Sequence, residues 1–523
     1  MPRSSRTEAG RYRVLDLPGD RHPARLFAVR ASTHASQALR INPNPEHTAL
    51  SRRSAIAVSC YVLVGFILRM THGMFHPTMV WTLAGVLTSI GYLSFRPGAA
   101  ARVSERASPA GTLAAVLFAS ATMLAMDPLL MTAHRGAALT TVQLASFALA
   151  IASGLYCIGH FSSFRFPRSA AVGLMAVCLA SLATMRVAAV LAAPAPQIDV
   201  YVTNSLACDY FLDGKNPYAQ EYPDIYEGTK DYKPGFFYWP AYLYVATPFH
   251  ALGDIRFAVV AGDLLTGAFL VVLLKKAGLK GDAVWLAPLA WLACPVSLMV
   301  LELGWIDPML VAGAAGLAAA IASRRVVLAG VAVGVIAATK QYGALAGVVT
   351  LAWIWANERH KIVHFVSASA LTFLALVAPL ALADWHSFYE STIAVYATAA
   401  MRLDALSLLV WAKRILGVDV GAPLLLSAYV AIVAVACWRL GRTLTKPRDW
   451  AGVMAFSYGA IFLLAKLAFC NYYYLVSFWM LLYAALSLVD DKHAQWLAPP
   501  RLADELSRGG TTKPKERDVA WSV

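Results

Sequence analysis

Charge is scarce in this chain. Of its 523 residues, 14% are Asp, Glu, Lys or Arg and 59% are hydrophobic, whereas a soluble globular protein carries about a quarter charged residues. That shortage excludes the soluble enzymes. Polar stretches long enough to fold a soluble domain are also missing, and no internal repeat is present. Cysteine is low, at seven residues. With no Cys-x-x-Cys and no Cys/His metal spacing, neither a disulfide framework nor a metal site is expected. Cys60, Cys157, Cys178, Cys294 and Cys437 fall in apolar runs and read as small core residues. Cys208 and Cys470 lie outside such runs and are expected to be two free thiols rather than a bridge. The formal charge of +14 does not make a nucleic-acid binder, because the basic residues sit at the ends of apolar runs instead of in one patch. Residues 1–53 hold ten Arg, no Lys and no apolar run. A disordered basic cytoplasmic segment without a cleavable signal peptide is expected there.

What is present is apolar length. Runs of about 20 residues, enough to cross a bilayer as a helix, divide nearly the whole chain. Spans are predicted at 54–70, 77–95, 109–133, 137–159, 169–193, 255–274, 283–303, 308–322, 325–339, 342–357, 362–383, 421–440, 450–469 and 472–489. The fold class is therefore all-α: a polytopic transmembrane helical bundle of about 14 spans. Residues 54–168 form additional N-terminal transmembrane helices, 169–489 the main transmembrane region, and 490–523 a polar cytoplasmic tail.

Charge also orients the bundle. With the amino terminus inside, the short inside loops hold sixteen Arg or Lys, among them Arg96, Arg165, Lys275, Arg324, Arg359 and Arg439. The short outside loops hold only Arg135 and Lys340. That asymmetry puts both termini in the cytoplasm. The external loop 194–253 then faces outward. From Pro196 to Tyr238 it has seven acids and three lysines, as suits a translocated segment. Its later part, "YWPAYLYVATPFHALG", is short and rich in Tyr, Trp and Pro, so interfacial helices are expected rather than another crossing.

The unusual polar residues gather on the outside turns. Asp199 lies six residues beyond the fifth span. Asp209 and Asp213 are spaced to share a helix face, and Gly214 with Asn216-Pro217 makes a turn before Tyr218. Later turns carry Glu302 and Asp307, then Lys340 and Gln341, then His386, Glu390, Arg402 and Asp404, and last Lys466 and Asn471. Any one alone reads as a satisfied interfacial side chain. Arg186 and Lys466 are harder to set aside, because intramembrane charge costs several kcal/mol unless paired or hydrated. Asp127 and Asp263 are read as helix-helix hydrogen-bond partners with no chemistry. A carboxylate at the membrane surface suits a general base acting on an acceptor hydroxyl. Cations just below it suit the phosphate of a departing lipid carrier. Together they describe glycosyl transfer from a lipid-phosphate sugar, by analogy with the two-sided logic of glycosidases.

The stretch "IDVYVTNSLACDYFLDGKNPY", with Asp199-x-Tyr201 ahead of a Leu-x-Gly-x-Asn-Pro-Tyr turn, resembles the first long external loop of the GT-C integral-membrane glycosyltransferases. The nearest branch is the polyprenyl-phosphate-mannose-dependent one, glycosyltransferase family 87. "GWIDPML", "TKQYG" and "NYYYLV" resemble its later external turns, and the likeness covers about residues 169–489. It implies a GT-C-like catalytic region with Asp199 as catalytic base. Candidate contacts to donor phosphate or acceptor are Arg186, Tyr201, Asp209, Asp213, Asn216, Tyr218, Asp307, Lys340, Gln341, Arg402, Lys466, Asn471 and Tyr473. It further implies a bacterial inner-membrane mannosyltransferase, or one for another hexose or pentose. The donor would be a polyprenyl-phosphate sugar, the acceptor a lipid or glycan, and no cofactor, metal or nucleic acid is required. Two departures stand out. Tyr238-Trp239-Pro240 replaces the branch's Tyr-Pro-Pro, and four spans precede the one that leads into the loop. Two other readings remain: a secondary transporter, against which the lack of repeated halves counts, and a lipid-linked glycan ligase or polymerase, which would also use a large external loop.

Overall fold

The computed structural model describes residues 50–95, 102–104, 108–162, 166–228, 233–442 and 446–489. Apart from residues 50–53, the expected amino-terminal segment lies outside the described residues, as does the expected tail. The described residues are mainly helical, with one antiparallel pairing of β1 (Leu50–Ser51) with β2 (Arg102–Ser104) and an isolated bridge between Met74 and Ala405. The all-α expectation did not include that pairing.

Five long helices come first: α1 (Arg52–Thr71), α2 (Pro77–Phe95), α3 (Pro109–Met126), α4 (Ala137–Phe161) and α5 (Arg168–Ala192). Proline opens α2 and α3, where its missing N–H has no intrahelical role. Ser108 caps α3 by accepting the Gly111 N–H at 3.0 Å. The third helix ends before Asp127-Pro128 instead of running on to 133. Pro128 cannot continue it, and the Asp127 carboxylate accepts the Leu129 N–H at 2.9 Å. Asp127 is thus a helix-end residue, not a helix-helix partner.

The polar insert folds into α6 (Asp199–Leu212), a 3₁₀ turn at Pro217–Ala219 and α7 (Pro240–Ala251). With 12 residues, α7 spans about 18 Å, too short for a hydrocarbon core of about 30 Å. There follow α8 (Arg256–Lys276), α9 (Ala283–Leu292), α10 (Ser297–Glu302), α11 (Asp307–Ala322), α12 (Val326–Thr339), α13 (Ala344–Asn357) and α14 (Ile362–Ala383). Short helical pieces lie between Trp385 and Leu416, and α15 (Ala422–Arg442), α16 (Pro447–Leu463) and α17 (Cys470–Ser487) complete the bundle.

Among the described residues, eight helices are long and apolar enough to cross a membrane: α1 to α5, α8, α14 and α15. The protein is thus a multi-pass membrane protein. The difference from about 14 spans has a local cause. Pro295 splits the expected 283–303 span into α9 and α10. Helices α11, α12, α13 and α16 have 14–17 residues, about 21–26 Å of helix.

The core is built around α17, whose side chains from Tyr473 to Ser487 are all buried. Trp479 meets Trp450 of α16 edge-on at 5.2 Å, and Tyr474 packs on Trp291 of α9 at 4.6 Å. Helices α1 and α2 pack on α17 and α16, so the first described helices close against the last. By contrast α14 and α15 expose Leu371, Leu374, Leu382 and Trp438, the apolar surface a lipid-facing helix presents. The turns expected outside come together at one end of the bundle. At the other end of α12, Glu358 pairs with Lys361 at 2.9 Å and Arg324 at 3.9 Å, which joins two of the basic turns.

Candidate active site

Six residues separate α5 from Asp199, and α6 begins at Asp199 itself. An acidic residue in the first turn suits the positive end of the helix dipole. Its Oδ1 accepts the Val200 N–H at 2.8 Å and lies 3.4 Å from the Tyr226 hydroxyl. Burial first, and the Asp199 carboxylate second, push the Tyr226 phenol above its ordinary range. Asp199 lines a cavity of about 410 Å³, shared with Lys340, Arg402, Asn471, Tyr238 and Trp305.

Two cationic frameworks face that cavity. In the turn after α12, the Lys340 ammonium lies 3.1 and 3.2 Å from the Asp307 carboxylate at the start of α11. Asp307 also accepts from the Tyr342 hydroxyl at 2.5 Å and from Asn471 Nδ2 at 2.9 Å. The rings of Tyr472, Tyr342 and Tyr238 surround the ammonium at 4.8, 4.9 and 5.4 Å, near enough for cation–π attraction. Burial pushes Lys340 below the usual lysine range, while Asp307 opposes the shift. The second framework is Arg402, bidentate on Asp404 at 2.9 and 2.7 Å and stacked on Phe469 at 5.0 Å. Its backbone N–H donates to the Lys466 carbonyl at 3.2 Å.

The other sequence candidates scatter. Arg186 is buried between helices, with Nε and Nη2 on Asp263 at 3.1 and 2.9 Å and Nη2 also on the Leu292 carbonyl at 3.0 Å. Tyr474 donates to the same Asp263 at 2.8 Å. This is the helix-helix role expected of Asp263, and it takes Arg186 with it. Lys466 and Tyr473 do not line the cavity; Tyr473 donates to the Leu406 carbonyl at 2.6 Å. Tyr201 supports the Arg256 guanidinium 5.1 Å away. Asp209 meets His250 at 2.7 Å, and exposed Asp213 meets Lys215 at 3.1 Å. Asn216 accepts the Tyr218 N–H at 3.1 Å to cap the 3₁₀ turn, and Gln341 bridges the carbonyls of Phe237 and Thr392 at 3.0 and 2.8 Å. Tyr218 lines a separate, larger cavity of about 630 Å³ with Glu221, Lys233, His386 and Glu390.

Cys208 and Cys470 are free and buried. Although it lies in the external loop, Cys208 is shielded because α6 turns it inward. Sequence reasoning missed the aromatic lining of the cavity, Tyr226, Tyr238, Tyr396 and Trp305, and it missed His72 and Met131 from the amino-terminal turns. The Tyr and Trp content of the insert was a signal for Tyr226 and Tyr238 only. Among the described residues, no group of three His, Cys, Asp or Glu could hold a metal.

Residues 236–470 match Glycosyltransferase family 87, a family of GT-C membrane glycosyltransferases. The match includes Asp307, Lys340 and Arg402 but stops short of Asp199 on one side and Asn471 on the other. No curated protein matches the chain.

Proposed function

We propose that this membrane glycosyltransferase, its family 87 domain at the centre of the chain, moves a sugar from a polyprenyl-phosphate donor to a lipid or glycan acceptor at the outer face of the membrane. The reading rests on one observation: a carboxylate, Asp199, and two cations, Lys340 and Arg402, line a single cavity. Asp199 takes the proton from the acceptor hydroxyl. The acceptor oxygen forms the new bond to the anomeric carbon as the bond to the phosphate oxygen breaks. The electron pair leaves on polyprenyl phosphate, whose charge a cation offsets. Mannose is the first sugar to try, followed by other hexoses and pentoses.

The place of Asp199 on the cavity wall supports its role over Asp209 and Asp213, which do not line that cavity and are exposed and engaged with His250 and Lys215. The test is Asp199→Asn in reconstituted protein, with a panel of polyprenyl-phosphate sugars as donors. General-base catalysis contributes about 10²–10⁴-fold, so turnover falls by about that factor while donor binding persists. Near-normal turnover with a working donor and acceptor sinks the mechanism.

A further inference from the structure

We propose that the amino-terminal helices, which lie outside the matched residues 236–470, supply the acceptor wall of the cavity, with His72 on that wall selecting the acceptor. The inference rests on the glycosyl-transfer reading above and adds a specificity-determining residue to it.

Two turns of the amino-terminal helices reach the cavity. His72 and Met74 come from the turn between α1 and α2, and Met131 and Thr132 from the segment after α3. Both turns are anchored. Glu302 is fully buried at the end of α10, and its carboxylate accepts the Met131 and Thr132 N–H groups at 2.7 and 2.6 Å and the Thr132 hydroxyl at 2.9 Å. Three bonds to one buried carboxylate hold that segment firmly, since charge-assisted bonds are the strong ones. On the other turn, the Phe75 N–H donates to the Asp404 carbonyl at 2.8 Å, next to the Arg402 pair. The ends of α1 and α3 are joined by the Arg69 Nε bond to the Met123 carbonyl at 3.1 Å. The two turns therefore form one wall.

The same network connects this wall to Asp199. Arg256 Nη1 donates to the Ala193 carbonyl at 2.7 Å and to the Glu302 carbonyl at 3.4 Å. The His134 N–H donates to the Ala192 carbonyl at 2.8 Å. Ala192 and Ala193 open the short connection that ends at Asp199. Lys340 belongs to a different framework, built on Asp307 and Asn471. The acceptor hydroxyl must sit on the side of the base, to which the Met131 turn is tied directly and the His72 turn through the Arg69 bond between α1 and α3.

His72 carries the second observation. Its φ is +53°, and Gly73 follows at +72°. A non-glycine residue in the left-handed region is uncommon and costs about 1–2 kcal/mol. Here the surroundings enforce it. The Gly73 N–H donates to the Thr71 hydroxyl at 3.1 Å, and Gly73 lies so close to the Cys470 backbone that a Cβ would fall 2.2 Å from its nitrogen. The strained turn places an imidazole, which can both donate and accept, in a cavity whose acceptor is a sugar hydroxyl. A site that hydrogen-bonds a substrate hydroxyl discriminates strongly against analogues that misplace it.

Two variants test this in the full chain. His72→Gly removes the imidazole and relieves the left-handed strain, so folding is not at risk. With polyprenyl-phosphate mannose as donor, and octyl mannoside and octyl glucoside as acceptors, the preference between the two acceptors falls about 10-fold. The donor KM stays within about twofold. His72→Cys is then labelled with a membrane-impermeant maleimide, against native cysteines that are buried or only partly exposed. Octyl mannoside slows the labelling and the lipid-phosphate donor alone does not. Unchanged acceptor preference, or protection by the donor only, overturns the proposal. The protection readout needs no turnover. A chain that transfers no sugar, or an Asp199→Asn variant that retains full activity, therefore counts against the parent reading, and the wall is judged separately.

Discussion

At the scale of single residues, partners separate the candidates. Lys340 and Arg402 are both cations that face the cavity, and each already holds a carboxylate. A donor phosphate competes with Asp307 or Asp404 for them. Arg402, the more exposed of the two, offers planar bidentate geometry. Neutralising the true phosphate ligand weakens donor affinity by about 1.5–3 kcal/mol. Donor titrations of Lys340→Met and Arg402→Met read this directly, and unchanged affinity in both removes the assignment. Arg186 behaves differently. Arg186→Met leaves Asp263 buried and unpaired, a change that costs about 3–5 kcal/mol. Thermal inactivation shifts sharply downward while the donor KM of the surviving enzyme stays put. The sequence marks Arg186 as costly in a membrane but cannot show the aspartate 77 residues away that satisfies it.

At the scale of elements, the start of α6 and the turn after α1 do most to place the site. The first was legible. A polar, acidic insert just past an apolar run predicts a carboxylate close beyond the fifth span, and six residues separate α5 from Asp199; that α6 starts on that residue was not foreseen. The second was not, because a left-handed His72-Gly73 pair is fixed by the distant Cys470 backbone, and no local pattern announces it. Gly73→Ala adds a Cβ 2.2 Å from Cys470 N at a φ of +72°. The backbone conformation alone costs about 1–2 kcal/mol, and the overlap adds to that. A lower Tm than wild type, with a larger drop than for Gly214→Ala in the open turn after α6, is the expected comparison. The short helices α11 to α13 show the opposite limit of sequence reading. Apolar composition announces them, but their length is set by Pro308, Arg324-Arg325 and the Lys340 turn, so counting apolar runs overstates the number of full crossings.

At the scale of the whole molecule, charge asymmetry predicted which turns share a side. The structure brings the turns at His72, Met131, Asp199, Trp305, Lys340, Arg402 and Asn471 to one cavity. That agreement spans the chain from α1 to α17. It holds although several of the intervening helices are too short to count as full crossings. Which side is outside is tested with introduced thiols. An impermeant maleimide on sealed cells labels Asp213→Cys, exposed beyond α6, and leaves Ser522→Cys unlabelled. Labelling of Ser522→Cys reverses the topology. Lastly, α17 fills the centre of the bundle and meets α1 through the Ser54 hydroxyl and the Ser487 carbonyl at 2.7 Å, 433 residues apart. On the ribosome, α1 enters the bilayer long before α17 exists. The faces of α1 and α16 that α17 covers are left to lipid or to provisional neighbours until α17 is made. Long-range closure of this kind is intrinsically slow.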